Sequence, residues 1–402
     1  MKNYLIILFS LFSYSLYSQP IQVVFSDELR GANDWGDYNN DGYLDFMKIG
    51  RTGQIPNQYL KAALYINNYG GYFYEYPNLQ FIAIDETNRK GSIKWIDYNN
   101  DNILDLFISG DTDITYNTTP ISKLYKNNGN STFSEIVLPF ANKAGGAGWA
   151  DFDNDGDFDL ILLGDTTIIY FNDGNESFIA YTDSVINKIA NESFALGDFN
   201  NDGFIDMIGE SKVDYKIKLY KNIGDGSFIE ISDNNFPLIE GSIDLGDYDN
   251  DGDLDIILSG SIIEPTRCYI FKNNGNFVFS LLTTIGAYSG SYWGDYNNDG
   301  KLDFINTGGG HDGDMGVYGG TEYYRNIGNN NFIPDIDLYD EDGYDAKWAD
   351  IDNDGDLDIS ISDYNYIFNI YSNTTSTINL PPNAPTNLTT TTNGNDLILQ
   401  WD

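Results

Sequence analysis

Apolar residues in this chain come in short bursts separated by clusters of Asn, Asp and Gly. Runs such as Leu106-Phe107-Ile108 and Ile256-Ile257-Leu258 are followed by aromatic-rich segments such as Leu124-Tyr125-Lys126-Asn127 and Leu219-Tyr220-Lys221-Asn222. An Asn/Gly turn then leads to a Phe, as in Gly129–Phe133 and Gly224–Phe228. Short aromatic and β-branched runs bounded by Gly-rich turns predict β-strands joined as hairpins. No stretch of eleven or more residues keeps helical periodicity. The pattern predicts an all-β chain in which strands A, B, C and D recur.

The recurrence is anchored by seven nine-residue segments: Asp37–Asp45, Asp97–Asp105, Asp151–Asp159, Asp198–Asp206, Asp247–Asp255, Asp295–Asp303 and Asp350–Asp358. Their start-to-start spacings are 60, 54, 47, 49, 48 and 55 residues. A residue pair such as Trp35-Gly36 or Leu245-Gly246 precedes each segment, with Trp95-Ile96 departing from the small second residue. A four-stranded unit of this size cannot bury both faces alone, and radial packing of such units solves the problem. The expectation is a seven-bladed β-propeller of four-stranded antiparallel blades. The seventh unit lacks a Phe-led D strand, whereas Ile21-Gln22-Val23-Val24-Phe25 is a spare strand. That match predicts a ring closed by the N-terminal strand completing the last blade.

The flanks suggest further divisions. Residues 1–18 have a basic start, a short apolar core and a small residue at Ser18, the layout of a cleaved export signal. Residues 19–372 would form the propeller. Residues 373–386 are rich in Thr, Pro and Asn and read as a linker, and residues 387–402 as the start of a further β-domain. The sequence shows no transmembrane segment after the signal, so the expected location is secreted or cell-surface.

Composition narrows the chemistry. Across 402 residues, 61 Asp and Glu oppose 21 Lys and Arg, a net charge of -40. That balance argues against nucleic acid, which needs a basic footprint. One Cys and one His leave no material for a disulfide framework, a Cys/His zinc site or a histidine-based triad. His311 reads as an exposed loop residue, Cys268 as a buried small hydrophobe, and Arg325 and Glu322 as surface residues. No catalytic residue is assigned.

The nine-residue segments hold the chemistry. Oxygen-bearing side chains recur at positions 1, 3, 5 and 9, Gly at 6, and position 7 can present its backbone carbonyl. Calcium takes six to eight oxygen ligands in a flexible shell. The expected ligands are Asp37, Asn39, Asp41, Tyr43 and Asp45 in the first loop, and Asp97, Asn99, Asp101, Ile103 and Asp105 in the second. The third and fourth offer Asp151, Asp153, Asp155, Asp157 and Asp159, then Asp198, Asn200, Asp202, Phe204 and Asp206. The fifth offers Asp247, Asp249, Asp251, Asp253 and Asp255, and the sixth Asp295, Asn297, Asp299, Lys301 and Asp303. The seventh offers Asp350, Asp352, Asp354, Asp356 and Asp358. In each set the position-7 residue acts through its carbonyl. Up to seven calcium ions are expected, offsetting carboxylates that would otherwise repel one another. Asn102 stands at position 6 of the second loop, as the non-Gly residue best suited to a left-handed turn. Position 8 is always Leu, Ile or Phe and is expected to plug into the blade core.

The Asp-x-Asn/Asp-x-Asp-Gly-x-x-Asp core, the preceding Trp-Gly and the Leu-Tyr-x-Asn continuation resemble the FG-GAP/VCBS repeat family, related to the calcium-bearing blades of integrin α-subunits. The resemblance covers about Ile21 to Tyr371 and implies a calcium-bearing propeller in an exported bacterial protein of the Bacteroidetes type. The tail with Trp401 resembles the opening of a fibronectin type III domain. The resulting functional expectation is a recognition or adhesion scaffold for an extracellular protein or carbohydrate, binding through the rim of B–C and D–A loops. The alternative is a calcium-dependent polysaccharide-active lyase or hydrolase, or its accessory module.

Overall fold

The structure is a computed structural model. It describes residues 31–373 apart from short loop segments, the longest being 310–320, together with 389–393 and 396–400. The runs of apolar and aromatic residues form the strands their pattern predicts. Six antiparallel sheets of four strands, each in chain order A-B-C-D, occupy 33–75, 92–136, 147–181, 189–231, 243–285 and 288–338. A seventh sheet has three strands, Gly343–Ala349, Asp358–Asp363 and Phe368–Tyr371. Thr389–Asn393 and Asp396–Gln400 pair as a separate hairpin. Among the described residues, no helix is long and apolar enough to cross a membrane.

Register explains how the acidic segments are placed. In every blade the residue before the first Asp pairs with the last Asp: Gly36 with Asp45, Ile96 with Asp105, Ala150 with Asp159, Gly197 with Asp206, Gly246 with Asp255, Gly294 with Asp303 and Ala349 with Asp358. The acidic segment is therefore the A–B hairpin loop. The C–D turns lie on the same rim, because strand C ends at an Asn (in the seventh blade Asn373, two residues past Tyr371) whose N–H donates to the last Asp of the loop.

Hydrophobic burial lies between blades. One cluster joins Tyr98, Phe107 and Leu124 of the second blade to Leu160, Tyr170 and Phe178 of the third. The small residue of Trp-Gly serves the next blade. A Cβ on Gly294 would lie 2.6 Å from the Trp348 ring, and one on Gly246 would lie 2.5 Å from Leu302 and 3.1 Å from Trp293. Position 8 also reaches across the junction, since Leu104, Leu254 and Leu302 pack over Gly36, Gly197 and Gly246 of the preceding blade. Phe158 departs from the expected plug and is 40% exposed. The A strands of successive sheets lie against one another and form the inner ring. Asp34 and Asp244 on that ring accept the N–H of Trp95 at 3.0 Å and of Trp293 at 2.8 Å in the following blades, covering inner-edge donors that sheet pairing leaves open.

The expected closure by an N-terminal strand is corrected. The seventh sheet holds three strands, and among the described residues no strand from the N-terminal side joins it; residues 21–25 lie outside the described residues. Among the described residues no sheet runs across the junction. First and last blades are joined by side chains instead. Phe46 stacks on Phe368 at 4.5 Å, within a cluster that also contains Tyr65, Ile351 and Ile370. Lys347 binds the Asn33 carbonyl and Asp34, and Trp35 Nε1 donates to Ser360 Oγ at 3.1 Å. Inter-blade cohesion never depended on shared strands, so the last junction needs none.

Candidate metal-binding rim

All seven A–B loops share one internal wiring. The position-1 Asp accepts the N–H groups of positions 5 and 6 through its two oxygens, as in Asp37 with Asp41 and Gly42 and in Asp247 with Asp251 and Gly252. The position-5 Asp accepts the N–H of position 7 in each loop. Position 6 has φ between 82° and 98° where it is Gly, and 63° at Asn102, the left-handed conformation expected from its residue types. Backbone donors thus curl the loop until its carboxylates converge.

The position-9 carboxylates are at most 1% exposed. Burial, opposed by the N–H of the strand-C Asn, pushes Asp45, Asp105, Asp159, Asp206, Asp255, Asp303 and Asp358 up to about 7. In the third, fourth, fifth and seventh blades the second oxygen accepts the N–H of position 2. Oδ2 of Asp45 and of Asp105 is buried without a hydrogen-bond partner.

The structure brings carboxylates together most tightly in three loops. Asp151, Asp153 and Asp159 each offer an oxygen, all within 4.8 Å of one another, and so do Asp247, Asp249 and Asp251, and Asp350, Asp352 and Asp358. These are the loops with Asp at position 3. Oδ1 of Asp153, Asp249 and Asp352 is buried with no hydrogen-bond partner. In the fourth and sixth loops, where position 3 is Asn, the amide supplies the donor itself. Asn200 Nδ2 binds Asp202 at 3.0 Å and Asn297 Nδ2 binds Asp303 at 2.6 Å. Strand-C lysines also enter the rim, with Lys221 on Asp202 at 2.7 Å and Lys272 on both Asp249 and Asp251. Converging oxygens with unmet acceptor capacity fit a hard divalent cation.

Sequence reading missed two Asn positions that hold the rim together. Position 4 is Asn in every loop, with φ of 55–63°. Its Nδ2 donates to the position-6 carbonyl of the next blade at 2.9–3.3 Å, from Asn40 to Asn102 onward, ending with Asn353 to Gly42. The Asn ending strand C runs the other way. Asn67, Asn127, Asn172, Asn222, Asn273, Asn326 and Asn373 donate to the position-2 carbonyl of the preceding blade at 2.6–2.9 Å. Both series close across the junction of the seventh and first blades. The signal was an Asn at a fixed place in every repeat.

The other expected residues fall as follows. Cys268 is fully buried, and burial pushes its thiol up to about 12. Arg325 Nε lies 3.4 Å from Asp335, which also accepts the Tyr296 hydroxyl at 2.5 Å; Glu322 accepts the Tyr324 hydroxyl. His311 lies outside the described residues, as does most of the B–C rim.

Residues 151–209, 211–258 and 247–305 each match the FG-GAP-like repeat family. The match is confined to the central blades, the third to the sixth. The first, second and seventh acidic loops lie outside those matches yet carry the same wiring as the matched blades. No curated protein matches the chain. Among solved structures, an Agrocybe aegerita lectin that recognises non-reducing terminal N-acetylglucosamine is similar at 18% identity and TM-score 0.53, over 77% of this chain and 81% of the lectin. BBS1N, solved with ARL6DN, is similar at 11% identity and TM-score 0.49, over 89% and 94%. The V. cholerae biofilm matrix protein Bap1 follows at 12% and 0.39, over 85% and 59%. At such identities the lectin supports the propeller fold and nothing finer.

Proposed function

We propose that this protein is a secreted or cell-surface recognition scaffold, a propeller whose loop rim is stapled by calcium and whose opposite rim binds an extracellular protein or glycan. One observation carries the reading: seven acidic loops with the same position-1 and position-5 hydrogen bonds stand on one rim, and the first, second, third, fifth and seventh hold buried carboxylate oxygens without a hydrogen-bond partner. Calcium would be held by positions 1, 3, 5 and 9 and the position-7 carbonyl of each loop, from Asp37 to Asp358. It would supply charge neutralisation and cross-link loop to strand. The export signal at 1–18, the linker at 373–386 and a fibronectin-like start at 387–402 belong to the same proposal, supported by the hairpin within 389–400.

A rigid, metal-stapled rim leaves the loops at the other end of the blades free to vary, the usual place for binding on a scaffold. The lectin likeness makes glycans the first class to screen. A glycan array probed with the calcium-loaded chain is expected to give binding that EDTA abolishes by loosening the fold. Absence of bound glycan, together with no binding to purified extracellular matrix proteins, would count against recognition.

A further inference from the structure

In the fourth, fifth and seventh blades the residue before the strand-C Asn reaches the acidic loop of its own blade. That residue is basic in four blades, as Lys126, Lys221, Lys272 and Arg325. Lys126 turns away to Glu176 of the third blade at 2.5 Å, and Arg325 Nε lies 3.4 Å from Asp335. Lys221 bonds the position-5 Asp202 at 2.7 Å. Lys272 goes furthest, since its Nζ donates to the position-3 Asp249 and, at 2.7 Å, to the position-5 Asp251. The fifth loop has Asp at the same five positions as the third and seventh, yet its carboxylates group differently. Positions 1, 3 and 9 converge in the third and seventh loops, and positions 1, 3 and 5 in the fifth. The lysine's place is taken by Phe171 in the third blade and Ser372 in the seventh, and Ser372 Oγ donates a single hydrogen bond to Asp352 at 3.1 Å. An ammonium clamped between positions 3 and 5 accounts for the regrouping.

We propose that Lys272, and to a lesser degree Lys221, competes with calcium for the carboxylates of its own loop, so that the rim carries two classes of site. The third and seventh loops, which no lysine enters, hold calcium tightly. The fifth and fourth exchange an ammonium for calcium as the calcium concentration changes. A lysine suits that exchange, being a compact charge on a flexible four-carbon stem. Ammonium and divalent cation cannot share the same carboxylates, because like charges a few ångströms apart repel strongly away from bulk water. Apparent calcium affinity is then reduced by the fraction of loops that the lysine leaves open. Without metal the same lysine neutralises part of its loop and holds it folded. The two lysine-served loops are neighbours, joined by Asn201 Nδ2 at 2.7 Å from Asp253 and 3.3 Å from the Gly252 carbonyl, so the exchanging sites form one arc of the rim. The inference rests on the calcium reading of the loops and assigns their relative affinities to named side chains.

The test is equilibrium dialysis of the full chain from micromolar to millimolar calcium, with scanning calorimetry of the same samples. The unaltered chain is expected to bind calcium in at least two classes. Asp251→Ala should remove one ion from the weaker class and none from the tighter. Lys272→Met, which keeps an unbranched stem and adds no oxygen ligand, should move one ion from the weaker class to the tighter with a gain of about tenfold, as loss of a charge-assisted competitor implies. Its melting temperature should fall in EDTA and recover in millimolar calcium, the second value showing that the variant folds. Lys221→Met should give a smaller shift of a second ion, and it decides the matter if Lys272→Met does not fold. A Lys272→Met isotherm superimposable on that of the unaltered chain, or weaker, overturns the proposal, and so does loss of a tight ion in Asp251→Ala. Calcium bound by the unaltered chain with no response to either lysine variant would sink this inference alone, whereas no bound calcium at all would remove the calcium reading too.

Discussion

The position-9 Asp shows how one residue can couple folding to ion binding. It is buried, it holds the end of strand C through a backbone N–H, and burial raises its carboxyl to about 7. In the metal-free chain the folded state therefore keeps protons that the unfolded state, titrating near 3.8, has released. Stability from this source is full below the unfolded value and is lost as pH rises toward 7. In EDTA the melting temperature is expected to fall between pH 5 and pH 8. With millimolar calcium the decline should vanish or reverse, because the ion takes the place of the protons. A metal-free melting temperature that rises over that interval would contradict the burial argument. Position 3 divides the loops further. Asp153→Ala should weaken calcium at the third loop, read as loss of about one ion from the tight-binding fraction by equilibrium dialysis, whereas an unchanged isotherm would remove Asp153 from the ligand set.

At the scale of the element, the blade was legible in the sequence because two local signals coincide. Short aromatic and β-branched runs mark the strands, and a nine-residue acidic segment fits the A–B hairpin so closely that the residue before it pairs with its last Asp in all seven blades. What stayed hidden was where side chains of neighbouring elements meet. Trp-Gly reads as a motif of one blade, yet the glycine makes room for the Trp or Leu of the next. Position 8 was expected inside its own blade for the same reason: sequence distance does not reveal an inter-blade contact. Gly294→Ala would press a methyl group onto the Trp348 ring, which has no flexible end to yield. It is expected to cost about 1–3 kcal/mol in chemical denaturation, and a neutral result would mean that the sixth and seventh blades are not packed this way.

For the whole molecule, the closure was the misjudged step. Counting strands left one missing and one spare, and the count suggested a shared last blade. The structure joins its ends by the devices it uses at every other junction, two opposed series of Asn side chains and an aromatic contact. The Asn residues looked like ordinary turn formers in sequence, since their partners lie a blade away. Asn67 and Asn222 occupy equivalent places, one at the closing junction and one within the ring, and both are at most 1% exposed. Truncating either to Ala strands buried carbonyls in two blades, so each is expected to cost on the order of 3 kcal/mol. A much smaller cost for Asn67→Ala would show that the ring is not closed there.

The central claim is that the loop rim is a set of calcium sites built into the fold. Scanning calorimetry of the chain in excess EDTA and in millimolar calcium, paired with metal content by mass spectrometry, tests it most directly. The account predicts several bound calcium ions per chain, up to seven, and a large calcium-dependent rise in melting temperature, since an ion bound only by the folded state stabilises it by mass action. No bound metal and superimposable melting curves would contradict it, leaving the acidic loops as hydrogen-bonded turns.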